Sequence, residues 1–191
     1  VPGDPARLAQ RIVAGTVPVV VVGLLFNDFI EETLRTPAVA AGALAVGAAL
    51  MFAAERLGTN RRAEDTVTWL DAVLIGCAQA SALIPGVSRS GATISLGLLL
   101  GLRRDAAARF TFLLAIPATL AAAGKESLEL AHMGVSATNA QLMAVGVIVS
   151  ALVGYITIKY FLRFLAGNRL DVFAYYRWAL AAATLVWLFR S

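Results

Sequence analysis

The sequence is short of the residues that most often carry chemistry. It has one cysteine and one histidine. A lone Cys77 cannot close an internal disulfide; in its apolar stretch it reads as a small buried hydrophobe. A lone His132, in a polar segment far along the chain, leaves no histidine near any candidate nucleophile. Charge is scarce too. Only 15% of residues are charged and 59% are hydrophobic, whereas a soluble domain is about a quarter charged and about half apolar. This excludes an ordinary soluble globular domain and indicates an integral membrane protein. No secretory signal peptide precedes the first apolar run. The chain opens on Val1-Pro2-Gly3 without a methionine, as the middle of a longer protein would. The net charge of +4 is modest. The basic residues flank apolar runs, which suits control of membrane topology and not a nucleic-acid partner.

What is present is a series of apolar runs. Charge-free stretches cover residues 12–27, 36–54, 72–88, 90–102, 110–124 and 130–158. A helix needs about 20 residues to cross the hydrocarbon core, and shorter runs can be extended by flanking Arg and Lys that snorkel outward. The expected spans are Arg11 to Phe29, Pro37 to Glu55, Ala106 to Gly124, Gln141 to Leu162 and Val172 to Phe189. Span two is rich in Ala and Gly, which favours close helix packing. Span five contains Arg177. The fold class is therefore all-α and polytopic, with about five transmembrane helices. Residues 1–191 form a single membrane domain.

The region from Thr66 to Leu102 is the exception. It is broken by Pro85-Gly86 and by Arg89, and the piece from Ser90 to Leu102 is about 20 Å long as a helix, too short for a core of about 30 Å. Charge accounting gives the same answer. Arg7 and Arg11 put the start of span one inside, the acidic "NDFIEETLRT" is outside, and Arg56, Arg61 and Arg62 are inside. If residues 66–102 crossed once, every later loop would carry the wrong sign. If they enter and return to the same face, Arg103, Arg104, Lys159, Arg163 and Arg169 all fall inside. "GKESLELAHM", with His132, falls in an outer loop. Residues 66–102 are thus expected to be a re-entrant helix pair with "PGVSRSG" at its tip. Irregular backbone at membrane depth survives only where it lines a cavity or is buried in protein.

An arginine at that depth costs about 2.5 to 3.5 kcal/mol on insertion scales, so something must offset it. One reading is structural, a pairing with helix carbonyls or a carboxylate. The other is an anion site. Gly91 and the start of the following helix offer backbone N–H groups and the positive end of the helix dipole. Ser88, Ser90 and Thr93 add hydroxyls, and Arg89 adds a fork suited to phosphate. The stretch is not a Walker A loop, since no Gly-Lys-Ser/Thr follows. Nor is it a Gly-x-Ser-x-Gly elbow, since Ser90 stands where the second glycine belongs. A membrane phosphatase class built on an arginine motif with several histidines does not fit one histidine.

"ALIPGVSRSGATISLGLLLGLRRDAAARFTFLLAIPATLAA" closely resembles the second signature of the bacterial undecaprenyl-diphosphatase family, the bacitracin-resistance lipid phosphatases. "GTVPVVVVGLLFNDFIEETL" and "FAYYRWALAA" resemble other spans of that family, so the likeness covers nearly the whole chain. The resemblance implies an inverted-repeat architecture in which two re-entrant regions meet at the active site. Residues 11–56 would be the last two spans of a first half, and 66–191 a complete second half. It implies removal of one phosphate from undecaprenyl diphosphate, which recycles the lipid carrier of peptidoglycan synthesis in the bacterial inner membrane. Ser88 and Arg89 would be catalytic, and Ser88, Arg89, Ser90, Gly91 and Thr93 would bind phosphate. Gln79 holds a place related by the repeat to a family glutamate.

The chain departs from the family pattern in lacking the first-half Glu-x-x-x-Glu and Pro-Val-Ser-Ser-Thr-Gly-His motifs. Glu31 and Glu32 are adjacent and do not match. The isolated chain is therefore expected to hydrolyse little or nothing. A divalent cation, Mg²⁺ or Ca²⁺, suits a diphosphate, yet no ligand set for one is visible. The partners implied are the lipid substrate and the bilayer; a homodimer stays open. The rival class is an inverted-repeat transporter or lipid flippase, which the broken helices suit equally. A plain structural bundle, suggested by Gly97-x-x-x-Gly101, leaves the buried arginine unexplained.

Overall fold

A computed structural model describes residues 4–133 and 137–190. Among the described residues seven α-helices carry the fold: α1 Pro5–Phe29, α2 Pro37–Leu57, α3 Trp69–Ser81, α4 Arg89–Leu99, α5 Arg104–Met133, α6 Ala137–Gly167 and α7 Asp171–Arg190. Five of them are long and apolar enough to span a membrane: Pro5–Phe26, Pro37–Leu57, Arg104–Leu128, Asn139–Gly167 and Asp171–Arg190. The protein is an all-α, multi-pass membrane protein. The two remaining helices, of 13 and 11 residues, rise only about 20 and 16 Å.

These short helices form a hairpin whose outer ends are fastened together. The backbone N–H groups of Arg61 and Arg62 donate to Gly101 O at 3.0 and 2.9 Å, and Arg103 N donates to Arg62 O at 2.8 Å. The Arg62 guanidinium reaches Leu100 O at 2.9 Å and Asp71 Oδ2 at 2.6 Å. Asp71 also closes a capping box with Thr68 at the start of α3. Burial alone would raise the Asp71 carboxyl, but hydrogen bonds from Arg62 and Thr68 bring it below its ordinary value. The start of α3 and the end of α4 therefore lie at one level, which we term the base. Gly101 belongs to this clasp as a turn residue at φ 88°, so only Gly97 of the Gly97–Gly101 pair is a packing glycine, set against Ala107 of α5.

The hairpin is wedged between its neighbours: α3 packs on α1, and α4 packs on α2 and α5. Contact with α1 is backbone to backbone, since a side chain at Gly76 would collide with Gly15 O. Small residues allow this approach where no hydrophobic force separates helix from lipid. Ile75, Ile94, Leu98, Leu102, Phe110 and Leu114 fill the interior behind it, each at most 1% exposed. At the base a second clasp joins α2 to the starts of α5 and α7. The Glu55 carboxylate, with no exposed side-chain area, accepts from Arg104 at 2.6 Å, lies 3.6 Å from Arg169 and accepts from Leu170 N at 2.8 Å.

Three local expectations are corrected. "GKESLELAHM" continues α5 as helix, because Lys, Glu, Leu and Ala are good helix formers and no proline follows to stop it. His132 accordingly sits on the last helical turn, exposed, and not in a loop. Glu31 and Glu32 lie in a π-helical turn, Ile30–Leu34, that prolongs α1; Glu31 pairs with Arg35 at 3.0 Å. Cys77 is exposed. It shares a face of α3 with exposed Val73 and Leu74 while Ala72, Ile75 and Gln79 face inward. In a bilayer an apolar side chain has no need to turn inward.

Candidate active site

The tip between α3 and α4 is built on a turn. Pro85-Gly86 reverses the chain, Val87 N donates to Ile84 O at 3.1 Å, and Gly86 sits at φ 89°. A Cβ at Gly86 would run into the backbone of Ala40, one turn from the outer end of α2. Glycine is required there twice over, by conformation and by approach.

The depth of the tip follows from three neighbours. Arg89 Nη1 donates to Thr119 Oγ1 at 3.3 Å, and Thr119 lies about 22 Å along α5 from Arg104 at the base. On α1, Arg11 donates to Asp65 O near the base, while Gly23 stands beside Leu83 of the tip, about 18 Å further along. The eleven residues of α4 give about 16 Å. The tip thus stands about 16 to 22 Å along the helices from the base, more than half the about 30 Å thickness of a hydrocarbon core.

Ser88 is the N-cap of α4. Its φ and ψ are −77° and 121°, and its hydroxyl accepts from Gly91 N at 3.1 Å. Ala92 N is taken by Ser88 O at 2.9 Å. This leaves the N–H groups of Arg89 and Ser90 with no acceptor among the described residues. The Ser90 hydroxyl lies 3.4 Å from that of Ser88, and both side chains are half-buried. Arg89 itself is exposed. The geometry therefore gathers a guanidinium, two backbone N–H groups and two hydroxyls at one helix N-terminus, where the dipole favours an anion.

Two sequence-derived assignments point elsewhere. The Gly91 N–H, expected to face an anion, is occupied by its own cap, and Gly91 is buried. Thr93 is 0% exposed; its hydroxyl donates to Arg89 O at 2.8 Å and accepts from Thr111 Oγ1 at 3.0 Å. It fixes α4 against α5. Gln79, in the last turn of α3, is 1% exposed, and neither of its amide atoms has a partner among the described residues. His132 lies about 20 Å further along α5 than Thr119, so it takes no part here. Among the described residues no group of three or more His, Cys, Asp or Glu could hold a metal ion. The residues described at the tip do not supply a ligand set for Mg²⁺ or Ca²⁺.

One residue that sequence reasoning left unassigned also reaches the tip. Arg177, in α7, is 8% exposed and donates through Nη2 to Gly86 O at 3.0 Å. Its signal was an arginine inside an apolar span, the same signal that drew attention to Arg89. Without a motif around it, nothing in the sequence said which carbonyl it would meet.

What the arrangement can do is hold an oxyanion and stabilise charge that grows on it. Among the described residues it offers no carboxylate or imidazole to move a proton. The chain is 47% identical to the undecaprenyl-diphosphatase of Rubrobacter xylanophilus, over 92% of this chain and 65% of that protein. It is 45% identical to undecaprenyl-diphosphatase 2 of Stutzerimonas stutzeri, over 96% and 68%. It is 44% identical to the undecaprenyl-diphosphatase of Mycolicibacterium vanbaalenii, over 95% and 66%. The chain spans about two thirds of the length of these relatives. The family described as bacitracin resistance protein BacA matches residues 3–183, and the chain belongs to that family.

Proposed function

We propose that this chain carries the phosphate-binding half of an undecaprenyl-diphosphatase of the bacterial inner membrane. Water adds to the terminal phosphorus, the bridging P–O bond breaks, and inorganic phosphate and undecaprenyl phosphate leave. The observation that carries the reading is the capped N-terminus of α4, with exposed Arg89 and with Arg89 and Ser90 N–H groups that have no acceptor among the described residues. Such preorganised donors stabilise charge building on phosphoryl oxygens without reorganising during the reaction. Arg89 is the bidentate clamp. Ser88 holds the helix end in register and offers its own O–H to the phosphate, with Ser90 beside it. Gly91 and Thr93 shape the cradle without touching the anion. Gln79 is assigned no phosphate contact, because its amide is buried among helices.

The depth of the tip supports a substrate whose diphosphate enters from the face opposite the base, with its prenyl chain between the outer parts of the spans. Residues 66–191 act as one half of a repeat in this reading, and proton transfer belongs to groups outside the tip. Relatives named as diphosphatases favour hydrolysis over transport, and no observation of the structure favours the transporter or flippase. The test is phosphate release from undecaprenyl diphosphate by the purified full-length protein. Wild-type protein should release phosphate and Arg89→Ala should release it about a hundredfold or more slowly; equal rates would sink the role of Arg89.

A further inference from the structure

Arg177 presents the same thermodynamic problem as Arg89 with none of its exposure. It lies about 9 Å along α7 from Asp171 at the base, and its long side chain carries the guanidinium to mid-bilayer depth. No carboxylate among the described residues forms an ion pair with it. Its hydrogen bonds go to two backbone carbonyls, Gly86 O at 3.0 Å and Ala43 O at 3.4 Å, and its Nε has no partner. An arginine placed so is costly, and a plain packing role would be met by an apolar residue.

The surroundings are shaped to let it through. On α2, a Cβ at Gly47 would collide with Arg177 Nη2 and come within 3.1 Å of Cζ. Gly47 is thus the slot by which the guanidinium passes α2 to reach the tip. Its own helix is anchored on either side. Trp178 Nε1 donates to Ala45 O at 3.1 Å, and the rings of Tyr175 and Trp178 pack on Phe52 at 4.9 and 4.8 Å. The far end of the bond is Gly86, the residue with positive φ that sets the turn two residues before the N-cap Ser88. With Ala40 on one side and Arg177 on the other, the turn has little freedom.

We propose that Arg177 is a positioning residue for the phosphate cradle: by holding the Gly86 carbonyl it fixes the turn that aims the N-terminus of α4 and Arg89. The inference rests on the reading that the tip binds a diphosphate, and its test separates the two. In the full-length protein with every native cysteine, Cys77 among them, replaced by serine, a cysteine placed by Val87→Cys reports the turn through its rate of reaction with a water-soluble maleimide. Arg177→Gln should raise that rate about fivefold or more, whether or not the protein is a phosphatase. An unchanged rate overturns the proposal.

Activity supplies the second arm. Arg177→Gln should lower kcat for phosphate release about tenfold or more, since small misplacement of oriented groups is expensive. In the Arg89→Ala background the same change should cost no more than about twofold, because both act through one cradle. Faster labelling with undiminished phosphate release, or a loss that multiplies fully with Arg89→Ala, overturns the positioning role. If wild-type protein releases no phosphate, the diphosphatase reading fails and the labelling arm still decides whether Arg177 holds the turn. Should Arg177→Gln not fold, Gly47→Ala, which closes the slot while keeping the arginine, is expected to reproduce the faster labelling.

Discussion

The base and the tip of the α3–α4 hairpin are about 20 Å apart and use their charges in opposite ways. At the base the arginines of the two clasps each meet an anion or a carbonyl. Arg62 is shared between Asp71 and two backbone oxygens, and Glu55 is enclosed by Arg104, Arg169 and Leu170 N. At the tip the guanidinium of Arg89 is exposed and bound only to a threonine hydroxyl, at 3.3 Å. Charges satisfied within the protein hold helices together. Charges left unsatisfied at a preorganised helix end are available to a ligand. Arginine and a helix terminus thus serve structure at the base and, in the proposed reading, binding at the tip.

The contrast is most sharply tested at Glu55. Removing the carboxylate by Glu55→Ala leaves Arg104 without its bidentate partner and Leu170 N without an acceptor. Breaking a buried pair from one side costs about 3 to 5 kcal/mol. Chemical denaturation in detergent should show a loss of that size. A loss below about 1 kcal/mol would mean that the base is held by packing, not by charge.

The next effect belongs to the tip. Arg89→Ala should leave stability within about 0.5 kcal/mol, as exposed substitutions do, while phosphate release falls about 10²- to 10³-fold, the range for losing one transition-state donor. Denaturation and turnover measured on the same preparation check both halves. If Arg89→Ala destabilised as much as Glu55→Ala, the division between holding and binding would collapse.

Much of this division was legible in the sequence, and the reason is the bilayer. Hydrocarbon forces backbone polar groups into helices, so span count followed from the runs between charges. Arg89 stood out because charge is costly there. The pairing of Glu55 with Arg104, 49 positions apart, was not legible, because charges at span ends read as topology signals whatever they touch. Cys77 was placed wrongly by a rule for soluble cores, where apolar residues turn inward; lipid removes that preference. The length of α5 was missed because hydrophobicity stops at Gly124 while helix propensity does not. Thr93 was read as a ligand from its place in the motif, yet its hydroxyl meets Thr111, a contact between helices that no local pattern encodes.

Thr93 gives an intermediate case. Thr93→Val keeps the shape and removes the acceptor of Thr111 Oγ1 together with the bond to Arg89 O. A buried hydroxyl left unpaired costs about 1 to 3 kcal/mol. Thermal unfolding should fall accordingly, and phosphate release should drop by only a few-fold, through a looser α4. A drop as large as that of Arg89→Ala would move Thr93 from the frame of the cradle into direct contact with the anion.

The smallest effect is expected on the outward face of the hairpin, at Cys77. It neighbours exposed Val73 and Leu74 on a surface of α3 that meets no helix among the described residues, so nothing among them depends on its thiol. Cys77→Ala should change stability by less than about 0.5 kcal/mol and leave phosphate release unaltered. The same thiol should react readily with a membrane-permeant maleimide and poorly with a charged one, since it faces the apolar side of the hairpin. Ready reaction with the charged reagent would place that face of α3 against water, and the hairpin would then line an aqueous cavity along its whole length and not at its tip alone.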